Sequence, residues 1–324
     1  MGLTVRQIHD VFVGEINGVH GLAHRGIHGG IHVREPLDAD TGAAIEAAIK
    51  RVPEKRATAT PASADGWPGT MRRLLLALLL LVPRLAWAGC APISMNEPHV
   101  WLAGAADDAV TITFLGHASF EIETPAGVRA VTDYNGVNIP EGPPDIATMN
   151  HAHSTHYTLH PDPRIGIVLH GWRENGVVPN YDVVLRDMRV TNLPTNIRDG
   201  AGGTEEYGNS IFVFETAGLC IAHLSHLHHL LEPEDLAALG HIDVVMVAVD
   251  GAWTMSQADA AAVVEQIQPR VVLPMHYFTR DVLNRFIELE RGRYDIDVRD
   301  TPTMTLSRTT LPARPTIVAL PGGY

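Results

Sequence analysis

Three histidine clusters, each following a predicted strand, constrain this chain more than any other feature of its sequence. They lie at residues 151–156, spaced His-x-His-x-x-His, at residues 223–229, and at residues 274–277. Side chains that leave a strand end at alternate positions converge on one point, and imidazoles are common metal ligands. If the strand ends meet at one sheet edge, the three clusters form a metal site. The alternative is a histidine-rich surface loop in a chain with 18 histidines.

Composition places the chain among globular proteins and limits its partners. It has 324 residues, 45% of them hydrophobic and 19% charged, enough for one large or two modest domains. The net charge of −13 argues against nucleic acid, so we expect a small-molecule substrate. Two cysteines, Cys90 and Cys220, are too few for a disulfide framework. Cys220 lies in an apolar strand and is expected to be a small core residue.

Residues 71–88 have the composition of a secretory signal peptide. A methionine and two arginines precede a leucine-rich run, and a small-x-small sequence ends at Ala88. The apolar run is too short to cross a bilayer, which needs about 20 residues. We therefore expect translation from Met71, cleavage after Ala88, a periplasmic or secreted product and no stable membrane insertion. A lipid attached to Cys90 is the alternative.

The first 70 residues differ in character from the rest. Segments 4–19, 34–38 and 43–50 resemble the opening of the taurine dioxygenase family, whose members are 2-oxoglutarate-dependent enzymes. This resemblance covers residues 1–50 and none of the family's iron-binding part. We interpret it as an N-terminal remnant or an over-long reading frame without independent function, with a regulatory arm or an oxygenase as alternatives. Residues 51–70 are rich in proline, alanine and threonine, which is typical of a linker.

Beyond about residue 98, patterns of strands and helices become regular. Alternating or apolar segments predict strands at residues 110–115, 118–124, 128–132, 188–191, 210–215 and 219–223. Helical periodicity predicts helices at residues 233–239, 256–268 and 281–291. Two nearly continuous apolar runs, residues 244–249 and 271–275, indicate central strands that are covered on both faces.

These motifs in combination resemble the metallo-β-lactamase superfamily, with a lactonase-like branch as the nearest. The resemblance rests on residues 115–120, Asp133, residues 151–156, residues 222–229 and residues 274–277. It implies an α/β fold of four layers, an αββα sandwich, formed by residues 89–324 with the metal at one edge of both sheets. The segment before residue 89 is extraneous to that fold.

The sequence departs from the family's signature at two places. Thr155 stands where the motif usually has aspartate, and Ser225-His226 replaces a glycine and the carboxylate that bridges two metals. Two nearby divalent cations repel each other unless negative ligands offset their charge. A ligand set of neutral histidines therefore favours one zinc ion, with a second zinc, or manganese or iron, as alternatives.

Each candidate residue has an expected role. The predicted metal ligands are His151, His153, His156, His226 and His276, and the predicted catalytic residues are Asp133 and His156. Asp133 is expected to orient a ligand histidine through its second ring nitrogen, or else to be a turn carboxylate. His156 is either a further ligand or the residue that fixes a second metal. His117 lines the pocket or is simply a buried, hydrogen-bonded histidine.

The predicted function is that of a metal-dependent hydrolase acting on an ester, lactone or phosphoester. A metal held by three or four imidazoles and water is the pattern of catalytic zinc, which lowers the pKa of its water to about 7. The alternative is a catalytically inactive metal-binding protein on the same fold, because both usual carboxylates are replaced.

Overall fold

The fold is known from a computed structural model that describes residues 23–25, 31–33, 90, 108–200 and 202–322. Contacts divide the chain into two units, Met1–Pro83 and Arg84–Tyr324. The described part of the first unit is an antiparallel pair of short strands, β1 (Ala23–Arg25) and β2 (Ile31–Val33). The predicted linker and signal-peptide-like segment lie outside the described residues, as does most of the dioxygenase-like segment.

The second unit contains two sheets, formed by strands in the following order. They are β3 (Val110–Gly116), β4 (Ser119–Glu123), β5 (Arg129–Val131), β6 (Ile146–Met149), β7 (Ile167–His170), β8 (Asp182–Leu185), β9 (Met188–Arg198), β10 (Thr204–Thr216), β11 (Leu219–His223), β12 (Val244–Ala248), β13 (Val271–Met275), β14 (Asp295–Val298), β15 (Thr303–Leu306) and β16 (Thr316–Ala319). The six-stranded sheet has the order β15-β3-β4-β5-β6-β7. The eight-stranded sheet has the order β14-β16-β13-β12-β11-β10-β9-β8.

Strand directions bring the functional motifs to shared edges. In the six-stranded sheet β5, β6 and β7 are parallel, and β3 runs the same way because it and β5 are both antiparallel to β4. In the eight-stranded sheet β11, β12 and β13 are parallel. The carboxyl ends of parallel strands meet at one edge of a sheet. The histidine clusters at residues 151–156, 223–229 and 274–277 follow β6, β11 and β13.

The two sheets pack face to face around one hydrophobic core. Phe114 and Phe120 of the six-stranded sheet belong to the same buried cluster as Phe212 and Phe214 of the eight-stranded sheet. The rings of Phe114 and Phe120 lie 4.7 Å apart, centroid to centroid. Each fully buried side chain of this kind contributes about 1.5–3 kcal/mol to folding. The inner faces of both sheets are apolar for this reason.

Three helices are described: α1 (Pro233–Leu239), α2 (Gln257–Ile267) and α3 (Arg280–Glu290). Hydroxyl side chains begin two of them, since Ser256 accepts from the Asp259 N–H and Thr279 from the Val282 N–H. Helix α2 contacts β12 and α3. The predicted fold class, a mixed α/β sandwich of two sheets, is confirmed, with few helices. None of the described helices is long and apolar enough to span a bilayer.

Cys90 and Cys220 form a disulfide, which corrects the sequence-based expectation for these residues. Their Cα atoms are 5.5 Å apart although 130 positions separate them in the chain. Cys220 is buried in strand β11, as expected of a core residue, but its sulfur is bonded to Cys90. The bond thereby joins Cys90 to the eight-stranded sheet.

Candidate metal centre

The residues that close four strands adopt a backbone conformation that is rare for side chains other than glycine. The φ angles are +53° at His117, +44° at Asp133, +49° at Ser225 and +58° at His276. They follow β3, β5, β11 and β13 by one or two residues. Left-handed backbone at such residues is strained, and strain of this kind concentrates at functional sites. The left-handed turns redirect the chain after four strand ends, two in each sheet.

Five histidine rings meet near these turns. Ligand-type nitrogens of His117, His153, His156 and His276 all lie within 4.8 Å of one another. The fifth ring, His226, has its centroid 5.1 Å from those of His153 and His156, and 5.3 Å from that of His276. The rings come from loops of both sheets. We call these five residues the histidine cluster.

Asp133 orients His156 from beneath the cluster. Nδ1 of His156 lies 2.6 Å from Oδ2 of Asp133, and both side chains are fully buried. Ser225 Oγ and Asn150 Nδ2 donate further hydrogen bonds to the same carboxylate. Burial opposes ionisation of Asp133, but attraction to His156 and the hydrogen bonds outweigh it and lower its pKa to about 2. The carboxylate therefore holds the Nδ1 side of the His156 ring, and Nε2 has no hydrogen-bond partner among the described residues.

Asp250 lies behind His276 in a longer contact. Its Oδ1 atom is 3.2 Å from Nδ1 of His276. Its other oxygen accepts the N–H groups of residues 252–254, so the loop after β12 is folded around this carboxylate. Burial opposes ionisation, but hydrogen bonds from His276 and Thr254 hold the pKa of Asp250 well below its usual range. Two histidines of the cluster thus each have a buried carboxylate behind them.

Thr155 links His117 and His153, the other two cluster histidines on loops of the six-stranded sheet. Its hydroxyl oxygen lies 2.7 Å from Nδ1 of His153 and 2.8 Å from Nε2 of His117. Burial, and then repulsion from neighbouring histidines, lowers the pKa of His117 to about 3 and that of His153 to about 4. The same two causes lower the pKa of His226 to about 2. These imidazoles are neutral at physiological pH, which is the form that binds metals.

The donor atoms of the cluster fit a metal ion. Nε2 of His156, Nε2 of His276 and both ring nitrogens of His226 are buried without a hydrogen-bond partner in the described part of the protein. A buried polar atom without a partner costs about 1–3 kcal/mol, so several at one point need an explanation. A single divalent cation would accept one lone pair from each of these three rings. Residues of the cluster can therefore hold a metal.

The structure brings together four of the five predicted ligands and places the fifth apart. His153, His156, His226 and His276 lie in the cluster, whereas the side chain of His151 is 43% exposed. The His151 ring packs against Tyr157 and Trp172, with centroids 5.2 and 5.4 Å away. Residues 151–156 form bends and turns, so the rule that alternate side chains share a direction does not apply there.

Sequence reasoning did not place His117 among the ligands. A single histidine has no spacing to reveal it, and its ring reaches the cluster only through the left-handed turn after β3. The neighbouring His228 and His229 face elsewhere, since their ring nitrogens are hydrogen-bonded to the backbone of Asn196. Asn196 itself accepts the Tyr207 N–H, so it points away from the cluster's donor atoms toward that loop.

Two sheets packed face to face, with a histidine cluster at the ends of their strands, are the architecture of a metallohydrolase sandwich. The chain belongs to the β-lactamase superfamily, since the profile of the β-lactamase superfamily domain matches residues 111–276. That range includes every residue of the histidine cluster. The family assignment confirms the superfamily and the fold class predicted from the sequence.

Proteins with similar sequences are named as metal-dependent hydrolases. A UPF0173 metal-dependent hydrolase of Pyrococcus furiosus is 26% identical over 193 residues, covering 52% of this chain and 85% of its own. Another, from Methanosarcina mazei, is 26% identical over 223 residues, covering 60% and 95%. A solved structure from Thermotoga maritima, assigned as a Zn-dependent hydrolase of the metallo-β-lactamase superfamily, is 25% identical with a TM-score of 0.48, covering 66% of this chain and all of that one. The predicted enzyme class, a metal-dependent hydrolase, agrees with the names of the Pyrococcus and Methanosarcina relatives.

Proposed function

We propose that the protein hydrolyses a small-molecule ester, lactone or phosphoester at a single metal ion, zinc before manganese or iron. The observation that supports this most directly is the set of buried, unpartnered ring nitrogens of His156, His226 and His276. The ligand set contains neutral imidazoles and no carboxylate, which suits one cation better than two. His153 and His117 complete the set.

The chain's own residues prepare this centre for hydrolysis. A zinc ion bound here would supply a Lewis acid that polarises the scissile bond and acidifies a water molecule. Asp133 and Asp250 are positioning residues, because each carboxylate lies beside Nδ1 of one ring, His156 or His276. Thr155 fixes the rings of His117 and His153 but supplies no negative charge, so the metal would keep its full Lewis acidity.

The disulfide supports a proposal for location. Disulfides persist in oxidising compartments and are rare in the cytosol. The bond between Cys90 and Cys220 therefore supports a periplasmic or secreted protein that is exported by the segment at residues 71–88. It also argues against the lipid alternative, because a sulfur engaged in a disulfide has no free valence for an acyl-glyceryl group.

A second candidate function is metal binding without catalysis. The replacement of both usual carboxylates, by Thr155 and His226, favours it, because those groups take part in the chemistry of the usual enzymes. Metal content and turnover separate the two candidates. The purified protein is analysed for bound metals and then assayed with nitrophenyl acetate, a lactone and a nitrophenyl phosphoester.

We expect about one zinc per chain and metal-dependent turnover of at least one substrate class, both lost in His156→Ala. His241→Ala is a matched control, since His241 bonds to Asp243 outside the cluster. Bound metal without turnover across the whole panel would favour the non-catalytic protein. An absence of bound metal, even after zinc is supplied, would contradict both candidates.

A further inference from the structure

Exposed apolar side chains are concentrated on the loops that carry the centre. In the described residues, each of the five loops after β5, β6, β11, β12 and β13 exposes at least one large hydrophobic side chain. These side chains are Val137, Ile139, Leu159, Leu230, Trp253 and Phe278. The same five loops supply Asp133, His153 with His156, His226, Asp250 and His276. Apolar surface gathered beside a candidate site indicates what that site binds.

Phe278 borders the histidine cluster directly. Its ring centroid is 5.7 Å from that of His117 and 5.5 Å from that of His276, while 46% of the residue is exposed. The phenyl ring therefore touches the cluster and is also partly exposed, so a ligand can reach it. An apolar group that lies on Phe278 would stand next to the metal ligands.

Two other exposed residues are tied to the centre through its own hydrogen bonds. Trp253 is 65% exposed, and its N–H donates to Asp250, the carboxylate that holds His276. Val137 is 82% exposed, and its N–H donates to Asn135. Asn135 in turn donates to the Thr155 carbonyl across 2.8 Å. These apolar residues are held in place by the framework that positions the cluster.

The same five loops offer almost no positive charge. They contain no lysine and one arginine, Arg164, whose guanidinium forms two hydrogen bonds with Asp162. The lysines of the chain are Lys50 and Lys55, outside the described residues. Among the described residues, three arginines outside these loops contact them: Arg198 donates to the Thr254 carbonyl and Arg129 to the Glu141 carbonyl, and Arg186 pairs with Asp145. A site for phosphate would need free cations facing the ligand.

We propose that the substrate is an uncharged, apolar ester or lactone, whose hydrocarbon part lies against Phe278 and Trp253, and not a phosphoester. This inference rests on the proposed hydrolase function and specifies its substrate class. Water adds to the acyl carbon, the acyl C–O bond breaks, and the leaving oxygen takes one of the water's protons. The products are a carboxylic acid, which ionises, and an alcohol. Phe278 acts in specificity and takes no part in these bond changes.

The experiment compares p-nitrophenyl acetate, butyrate and octanoate with bis-p-nitrophenyl phosphate on the zinc-loaded protein. Burial of one methylene group is worth about fourfold in binding, and a half-exposed surface captures a part of that. We expect kcat/KM to rise by about tenfold or more from acetate to octanoate, and the phosphoester to be the poorest substrate. In Phe278→Ala the rise in kcat/KM from acetate to octanoate should shrink to about threefold or less.

Leu289→Ala is the matched control, because Leu289 on α3 is 47% exposed and contributes no ring or hydrogen bond to the cluster. Its chain-length dependence should equal that of the wild type. The inference would be overturned by equal kcat/KM for all three esters or by preference for the phosphoester. It would also be overturned if Phe278→Ala and Leu289→Ala lost the chain-length dependence equally. Any of these results leaves the hydrolase proposal standing.

A binding measurement separates the two proposals from each other. Calorimetric titration of zinc-loaded protein with octanoate and with inorganic phosphate needs no turnover. We expect octanoate to bind, phosphate to bind at least tenfold more weakly, and Phe278→Ala to weaken octanoate by about fivefold or more. If octanoate binds and Phe278→Ala weakens that binding, but no ester is turned over, the hydrolase proposal would be contradicted. The proposed binding of hydrocarbon at Phe278 would be supported. Tighter binding of phosphate would overturn the inference.

Discussion

The backbone N–H of His276 donates a hydrogen bond to the backbone carbonyl of His117 across 2.7 Å. His276 directly follows β13 of the eight-stranded sheet, and His117 directly follows β3 of the six-stranded sheet. Their ring centroids are 4.2 Å apart. The bond therefore fixes the two sheets to each other at the point where the histidine cluster forms. The centre belongs to neither sheet alone, and its geometry depends on how they are packed.

Removal of cluster histidines should empty the centre. We expect His156→Ala and His276→Ala to reduce bound zinc from about one per chain to near zero, because each removes an unpartnered buried nitrogen. Elemental analysis after dialysis measures this. His151→Ala should retain its metal, because His151 packs against Tyr157 and Trp172 outside the cluster. Loss of metal in His151→Ala would instead support the ligand role predicted from the sequence.

Asp133 should control metal affinity without binding the metal. We expect Asp133→Asn to weaken zinc binding by roughly 10–100-fold, because an amide no longer holds the proton on Nδ1 of His156 by charge. Competition with a chromophoric chelator gives the dissociation constant. Asp162→Asn, which alters an exposed ion pair with Arg164, should leave the zinc dissociation constant unchanged. An Asp133→Asn protein with wild-type affinity would show that this hydrogen bond does not tune the centre.

A carboxylate at position 155 should raise the metal capacity. Thr155 lies within 2.8 Å of ring nitrogens of both His117 and His153, so an aspartate there would add negative charge inside the cluster. Added negative charge offsets the repulsion between two cations. We expect Thr155→Asp, combined with His226→Asp, to bind about two zinc ions per chain. A stoichiometry that stays at one in the double variant would mean that geometry and not charge limits the site.

The cluster should make the metal-free protein sensitive to acid. Burial lowers the pKa of His117 to about 3 and that of His226 to about 2, whereas both are near 6.5 in an unfolded chain. Between those values the unfolded chain binds protons that the folded protein excludes, so the free energy of unfolding falls as pH falls below about 6.5. We expect the urea midpoint of chelator-treated protein to decline from pH 7 to pH 4.

The matched variant for this measurement is His226→Gln. Because glutamine does not titrate, the decline with acid should be shallower than in the wild type. A midpoint that is constant between pH 7 and pH 4, or a variant with the same decline, would contradict the role assigned to these histidines. The measurement must exclude metal, since bound metal would itself be displaced by protons over the same range.

The disulfide should supply a large part of the stability. Closing a loop of this length lowers the entropy of the unfolded chain, and such bonds contribute roughly 2–5 kcal/mol. We expect Cys90→Ala to lower the free energy of unfolding by that amount in urea titrations. Reductant should lower the free energy of unfolding of the wild type to that of Cys90→Ala, and should not change the value for the variant. A wild-type protein indifferent to reductant would indicate that the two sulfurs are not bonded in solution.

The sequence was sufficient for elements with a strong local pattern. Helix α1 has the predicted bounds, and the two apolar runs became β12 and β13, buried on both faces. Strands β14 and β15 were not predicted, because they are short and their burial patterns are mixed. Strand β15 pairs with β3, from which it is separated by almost the whole domain. Such pairing depends on packing and not on local preference.

The centre was predictable where histidines follow a strand that the sequence itself reveals. His153, His156 and His226 were found because they belong to histidine clusters, and His276 because its Pro-Met-His motif closes an apolar run. His117 was not placed among the ligands, because its contribution depends on a left-handed turn that a sequence does not reveal. The bond between Cys90 and Cys220 joins positions 130 apart, and no spacing rule connects residues at that distance.

The left-handed backbone at His117 and His276 has an evolutionary consequence. Such a conformation costs of order 1–3 kcal/mol per residue, and glycine would adopt it without that cost. Glycine, however, has no imidazole. Selection for stability alone would therefore replace these histidines with glycine. Their presence indicates that stability is reduced in favour of the chemistry of the centre. Descendants that no longer use the centre should drift toward glycine at these positions first.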